Sequence, residues 1–347
     1  FDFGYGKINS LQNDNRIGIS QVIQFPAVYK NQGKILQSNV EISKLNKLQK
    51  EIELKTDVKK HFYQIILLQQ KRMLLMEADS IYTQFATKTR QRYEVGTADI
   101  LEKVTAENQL ALISNQLQLL NAGYTILLNQ FNVLINCQIV YLPTADKVKY
   151  ELGVLPDLLM LEETPLLRLQ EKNILHATQL VKLEKSKLAP SINLGYNSNT
   201  FIGWQAAADK VETYYGKDTR FASLNLGVAI PIFSGAQRAR INAGNILVQQ
   251  NRLEQLAVKQ QLKANLTDAI LFYLQNKKLV DNFQKTSMPN AELLITTATN
   301  KLNLGEIGYL EWVMIVNQAM QVRSEYFNYI QQLNEAAIEI EKISSNN

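Results

Sequence analysis

The chain has 347 residues, 46% of them apolar and 20% charged, a balance that excludes intrinsic disorder. Its net charge of +5 is carried without a dense Lys/Arg block, which argues against nucleic acid as a partner. The single cysteine, Cys137, excludes an internal disulfide, and there is no CxxC or Cys/His cluster.

No apolar run approaches the roughly 18 residues of a membrane-spanning helix, and no secretory leader is recognisable. Phe1 already lies in an alternating segment, so the expectation is an N-terminally incomplete domain. The first expected strand covers residues 1–10, with Phe1, Phe3 and Tyr5 opposite Asp2, Gly4 and Gly6. A second covers 16–25, with Ile17, Ile19, Ile23 and Phe25 on one side. Residues 34–93 contain neither proline nor glycine, and as a helix they would span ~90 Å. A glycine turn at Gly96 follows, then a helix over 100–136.

Residues 137–190 read as a connecting segment. Strands are expected at 191–203 and 219–230. In the latter Ala222, Leu224, Leu226, Val228 and Ile230 oppose Ser223, Asn225, Gly227 and Ala229. Each strand has about the length that crosses a bilayer when tilted. A third long helix is expected over 236–286, interrupted at Ser287–Asn290, where Pro289 suits the first turn of a restarted helix. A shorter helix runs to Leu304, and a last one covers 309–343.

The helix over 100–136 carries a heptad seam at Leu110, Ile113, Leu117, Leu120, Tyr124, Leu127, Phe131 and Leu134, which predicts coiled-coil packing. The seam also belongs to a duplication. At an offset of 209 residues, Gly96, Leu101, Glu102 and Val104 fall on Gly305, Leu310, Glu311 and Val313, and Asn108-Gln109 on Asn317-Gln318. The seam falls on Ala319, Val322, Tyr326, Tyr329, Leu333, Ala336, Ile340 and Ile343. Two repeats, about 1–136 and 191–343, are therefore expected, each reading strand, strand, long helix, glycine turn, returning helix. Thr97 or Asp99 can cap the first returning helix, and Gly308 does so less well in the second. Four strands leave two open edges, which lipid forbids. If the strands are embedded, several copies must share one barrel.

This pattern resembles the outer-membrane factor family, the TolC-type channels of tripartite efflux systems. The family's Tyr-x-x-Gly…Leu-(Glu/Asp) turn is kept as Tyr93, Gly96, Leu101 and Glu102. In the second half Gly305, Tyr309, Leu310 and Glu311 remain, with Leu302 in place of the tyrosine. Leu188-Ala189-Pro190-Ser191 and Ile230–Gly235 also match. A narrower likeness, in Gln21–Tyr29, Ser287–Glu292 and Asn303–Tyr309, is to the channel domains of CusA/CzcA-type heavy-metal efflux systems. Some of these domains follow a pump in one polypeptide.

The resemblance implies a mixed α/β membrane protein, mostly long helices in an α-helical coiled-coil barrel. Four strands per chain would contribute to a trimeric transmembrane β-barrel, and 137–190 would form an equatorial segment. It implies a homotrimer in the bacterial outer membrane, extending into the periplasm. The expected partners are outer-membrane lipid, a periplasmic adaptor and an inner-membrane RND pump, fused upstream or separate. The function implied is passive exit of cargo, heavy-metal cations on the narrower likeness. A type I secretion or multidrug efflux channel of the same fold is the alternative, and a soluble coiled-coil scaffold is a third reading.

The resemblance makes the turns the site. Val95, Gly96, Thr97, Leu304, Gly305 and Glu306 are the expected adaptor contacts. Asp99, Glu102, Glu306 and Glu311 are the candidate periplasmic gate. Threefold symmetry would turn an inward-facing carboxylate into a ring of three, favouring cations and pairing with Arg92 or Lys103. No enzyme activity, cofactor or metal site is expected, because His61 and His176 lie apart, without triad or metal spacing. Met73, Met76, Met314 and Met320 are expected to fill the core.

Overall fold

The computed structural model describes residues 1–206 and 211–345. The order is β1 (Asp2–Gly6), β2 (Asp14–Ile23), α1 (Pro26–Glu94), α2 (Ile100–Leu134), a 3-10 turn (Leu158–Glu163) and α3 (Pro165–Ser186). Then come β3 (Ser191–Thr200), β4 (Gly203–Ala206), β5 (Glu212–Tyr215), β6 (Arg220–Ala229), α4 (Gly235–Asn282), a π-helical turn (Phe283–Ser287), α5 (Met288–Leu304) and α6 (Tyr309–Ser344). The chain divides into two units, Phe1–Leu45 with Leu169–Leu256 and Asn46–Arg168 with Ala257–Asn347.

In the first unit β1-β2-β3-β6 form one antiparallel sheet in that order. Directly paired residues share a face, so the register decides what each face is made of. Ile19, Tyr196 and Leu224 form one row, and Ile23, Ile192 and Val228 another. Phe3 stands beside Ile17 on the same side. The opposite face carries Gly18, Asn197 and Ser223 in one row, and Ser20, Gly195 and Asn225 in another. The alternations of all four strands are thus in phase, with one apolar face and one amide-rich face. The apolar face is uncovered: Leu224 is 85% and Leu226 75% exposed. β1 and β6 each pair on one side only.

Beyond the four strands, β4 and β5 pair as a small second sheet, with Trp204 edge-on to Tyr214 at 5.6 Å. In the same unit Gly244 lets α4 approach α3 closely, since a β-carbon there would lie 2.8 Å from Val181 Cγ2.

In the second unit the seams are covered. Every seam position of α2 and α6 is buried or half-buried, with Ile113, Phe131, Ala319, Leu333, Ala336, Ile340 and Ile343 buried. α1 starts at Pro26 and takes Gly33 into the helix, earlier than the glycine-free stretch indicates. Proline suits the first turn, and one internal glycine costs only about 1 kcal/mol. The expected interruption at Ser287–Asn290 is a continuous path. The chain passes through the π-helical turn, and Pro289 enters the first turn of α5. A widened turn accommodates the hydrogen bond that proline cannot donate.

The segment after α2 is strapped down by two buried asparagines. Asn132 Oδ1 accepts from Tyr141 N–H (2.7 Å) and its amide donates to the Tyr141 carbonyl (3.2 Å). Asn334 does the same for Tyr150 N–H (2.7 Å) and the Val148 carbonyl (2.8 Å). Lys59 donates to Glu341 at 2.6 Å, and the Tyr150 hydroxyl bonds both. The methionine expectation is corrected. Met320 packs on the core, but Met73, Met76 and Met314 are exposed, on faces their own chain does not cover.

Candidate functional site

Both hairpins turn by the same device. After α1, Gly96 has φ +74°; its N–H donates to the Tyr93 carbonyl (3.0 Å), and Thr97 N–H donates to the Arg92 carbonyl (2.8 Å). After α5, Gly305 has φ +76°; its N–H donates to the Leu302 carbonyl (3.1 Å), and Glu306 N–H to the Lys301 carbonyl (2.9 Å). This pair of bonds satisfies the last carbonyls of each helix and needs a left-handed residue. The residue before each glycine is apolar and solvent-facing, Val95 at 72% and Leu304 at 74% exposure. Thr97, Gly305 and Glu306 are exposed as well. The six turn residues thus form two equivalent tips.

The returning helices start differently. Asp99 caps α2, its carboxylate accepting from Leu101 N–H at 3.4 Å, whereas Gly308 caps α6 without a side-chain bond. The four candidate gate carboxylates are therefore not equivalent. Asp99 is held at the helix end. Glu102 is half-buried and paired with Arg92 at 3.3 Å. Glu306 makes an exposed pair with Lys301 at 3.8 Å, too open to hold it firmly. Glu311 is exposed and, among the described residues, has no ion-pair partner. Lys103 lies over the Tyr93 ring at 4.9 Å and leaves the carboxylates to Arg92.

Arg92 does more than pair with one acid. Its guanidinium also donates to the Thr97 carbonyl (2.9 Å) and sits 4.7 Å from the centre of the Tyr309 ring at the start of α6. It thereby ties the α1–α2 turn to the α5–α6 turn. A cation over an aromatic face at this distance contributes about 0.5–1 kcal/mol at an exposed site.

Behind the tips lies an aromatic cluster that sequence reasoning missed. Tyr82, Phe85, Tyr309 and Trp312 contact one another across α1 and α6, with Phe85 and Tyr309 stacked at 5.1 Å. Trp312 Nε1 donates to Thr299 Oγ1 on α5 (3.2 Å). The Tyr82 hydroxyl donates to Asn317 Oδ1 (2.7 Å), and burial pushes its pKa up to about 12. Around them Ala78, Ala86, Ala106, Ile113, Ala298, Val313 and Val316 close one core drawn from α1, α2, α5 and α6. The available signal was the broken repeat: at the offset of 209, Trp312 stands where the first half has Lys103.

Among the described residues no group of three or more His, Cys, Asp or Glu is placed to hold a metal, and no helix is long and apolar enough to cross a membrane. His61 is half-buried, with Nδ1 2.8 Å from the Asp57 carbonyl.

A sheet with an uncovered apolar face, joined to long paired helices with two like tips, defines an outer-membrane channel fold. Residues 159–346 match the family described as outer membrane efflux protein, and the chain belongs to that family, one of channels and not of enzymes. The fold is similar to that of the CmeC outer membrane channel of Campylobacter jejuni: TM-score 0.81, 13% identity, 96% of this chain and 71% of that one covered. It is also similar to CusC, a transmembrane channel (0.81, 15%, 99% and 81%). The outer membrane protein VceC of Vibrio cholerae aligns as well (0.79, 10%, 99% and 85%). A comparison with curated protein sequences finds no match.

Proposed function

We propose that three copies of this chain form the exit duct of a tripartite efflux system. The observation that carries this is the sheet: a predominantly apolar face across four strands, interrupted at Gln21 and Ser198 in the paired rows, with both edges open. Such a sheet is tolerated in lipid only when closed, and three copies close it as twelve strands. A second line of support lies on α2. Leu112, Leu119, Ile126 and Val133 recur every seventh residue and are 52%, 75%, 59% and 78% exposed. A heptad line left open by its own chain suits a helix of another copy.

In this reading the sheet spans the outer membrane and the helices extend into the periplasm. A periplasmic adaptor docks on Val95, Gly96, Thr97, Leu304, Gly305 and Glu306, where exposed apolar residues beside a glycine permit close approach. An inner-membrane RND pump supplies the energy. The likeness of Gln21–Tyr29, Ser287–Glu292 and Asn303–Tyr309 to heavy-metal systems favours metal cations as cargo over drugs or secreted polypeptides. Asp99, Glu102, Glu306 and Glu311 form the gate, with Glu306 and Glu311 the freer pair and Glu102 locked by Arg92. Opening is a shift of the hairpins between two packed states, biased by the adaptor.

Planar-bilayer recording of the purified protein tests the duct and the gate together. Discrete trimer conductance with cation preference is expected, and Glu306→Ala with Glu311→Ala lowers that preference. Unchanged reversal potentials would defeat the gate assignment, and a monomer without conductance would defeat the duct. Restoration of metal tolerance, but not dye tolerance, in cells lacking their own channel separates metal from multidrug efflux.

A further inference from the structure

The chain's positive charge is concentrated in one place. Where the strands meet the helices, the segments 26–36, 179–188 and 235–245 carry Lys30, Lys34, Lys182, Lys185, Lys187, Arg238 and Arg240 against one acid, Glu184. The rest of the sequence then holds 30 cations and 31 acids, so the net +5 resides at this junction. The far end of the strands is balanced, with four cations and four acids in residues 1–16, 201–206 and 211–220.

The three helix ends are held together. Asn31 on α1 donates to the Lys182 carbonyl on α3 (3.3 Å), and Gln237 on α4 donates to the Glu184 carbonyl (2.6 Å). All seven cations are exposed. Glu184 pairs with Lys187 (2.6 Å) and accepts from Gln237, so it offsets one collar cation and leaves the other six without an acid in these segments. α1 and α4 both begin here without an acid in the first turn, and their two positive dipole ends outnumber the one negative end, that of α3. Within a few residues of the cations in the chain stand exposed apolar side chains: Phe25 at 49%, Tyr29 at 49%, Ile232 at 81% and Phe233 at 98%.

An ordinary solvated helix end mixes both signs and does not adjoin bare Phe and Ile. We infer that this collar binds the headgroups of anionic phospholipids in the leaflet on the helix side of the membrane, with Phe25, Tyr29, Ile232 and Phe233 among the acyl chains. Cations at headgroup level attract anionic lipid, and aromatic residues settle at the same depth. The inference rests on the strands being membrane-embedded, and it deepens that reading by naming the lipid class and the residues that select it.

The test offers delipidated protein in detergent equal amounts of phosphatidylglycerol and phosphatidylcholine, with retained lipid counted by native mass spectrometry. Preference for phosphatidylglycerol by about tenfold is expected at low salt, falling as ionic strength rises. The combined variant Lys182→Gln, Lys185→Gln, Arg238→Gln, Arg240→Gln loses most of that preference, and Lys217→Gln at the far end keeps it. Flotation of the unmodified protein with pure phosphatidylcholine vesicles is run alongside. Flotation with equal retention of the two lipids would overturn the collar while leaving the embedded sheet intact. Failure to float with any vesicle would overturn the embedded sheet and the collar with it. Binding to isolated murein without a lipid preference would assign the cations to a different occupant. The salt dependence of the unmodified protein decides the matter even if the variant does not fold.

Discussion

α2 and α6 are the two copies of one element, yet they end in different surroundings. Their turns superpose residue for residue in the sequence, and both use their seams. α6 buries twelve residues, from Trp312 to Ile343, whereas α2 buries five. The positions of α2 that carry the open line Leu112, Leu119, Ile126 and Val133 correspond in α6 to Gln321, Asn328, Glu335 and Lys342. Several of these are engaged within the chain: Asn328 accepts from Lys71 (2.8 Å) and Glu335 from Gln64 (3.2 Å), both on α1. One copy of the repeat thus became an interior helix with polar ties to α1. The other kept an apolar line facing outward. A duplication therefore builds both an enclosed helix and an open apolar line, and in the proposed trimer that line is where the next copy packs.

The contrast can be broken from either side. Trp312→Ala removes the centre of the tip cluster and is expected to cost about 3–5 kcal/mol. Chemical unfolding in detergent reads this, and a loss below about 1 kcal/mol would deny α6 its interior role. Leu119→Glu with Ile126→Glu should leave helical content unchanged but place charge in the seam between copies. That weakens assembly by about 2–3 kcal/mol per copy. Light scattering that still finds trimers would show the α2 line to be free surface.

Gly305→Ala forces a β-carbon into a left-handed turn at a cost of about 1–2 kcal/mol. The same cost is expected for Gly96→Ala if the two turns are as alike as their hydrogen bonds, and a difference in thermal midpoint would separate them. The smallest effect concerns the strap. Burial pushes the Glu341 carboxyl up, but hydrogen bonds from Lys59 and Tyr150 and the charge of Lys59 hold it below the ordinary carboxylate range. Its contribution is present above the unfolded pKa and is lost as pH falls through the lower folded value. The pair is partly exposed, so less than about 1 kcal/mol is at stake. An acid titration of stability should flatten in Glu341→Gln, and an identical acid limb in the variant would remove the pair from the account.

Much of this was legible in the sequence because it depends on local periodicity. Alternation at Phe221–Ile230 fixes which side chains share a face, whatever the strand pairs with. Glycine at 96 and 305 marks a stop because only glycine takes that backbone shape cheaply. The heptad seam reads as burial because seven residues make two helical turns. The aromatic cluster was not legible. Tyr82 and Trp312 are 230 residues apart, and only the packing of α1 on α6 brings them together. Pairing preferences among the charges also escaped, since the Arg92 side chain chooses Glu102 and the Tyr309 ring by position and not by spacing.

By itself, the sequence determined the strands and long helices of the two repeats, the two glycine stops and the apolar side of each strand, all set by neighbours a few residues away, and the duplication by its matching residues; it missed α3, β4 and β5, whose segments read only as connections. Only the tertiary structure decided that the four apolar sides fall in phase on one sheet, that α6 is enclosed while α2 stays open, and that the scattered cations gather at the strand–helix junction. Those outcomes depend on strand register and helix contact between residues far apart in the chain, which no local pattern encodes.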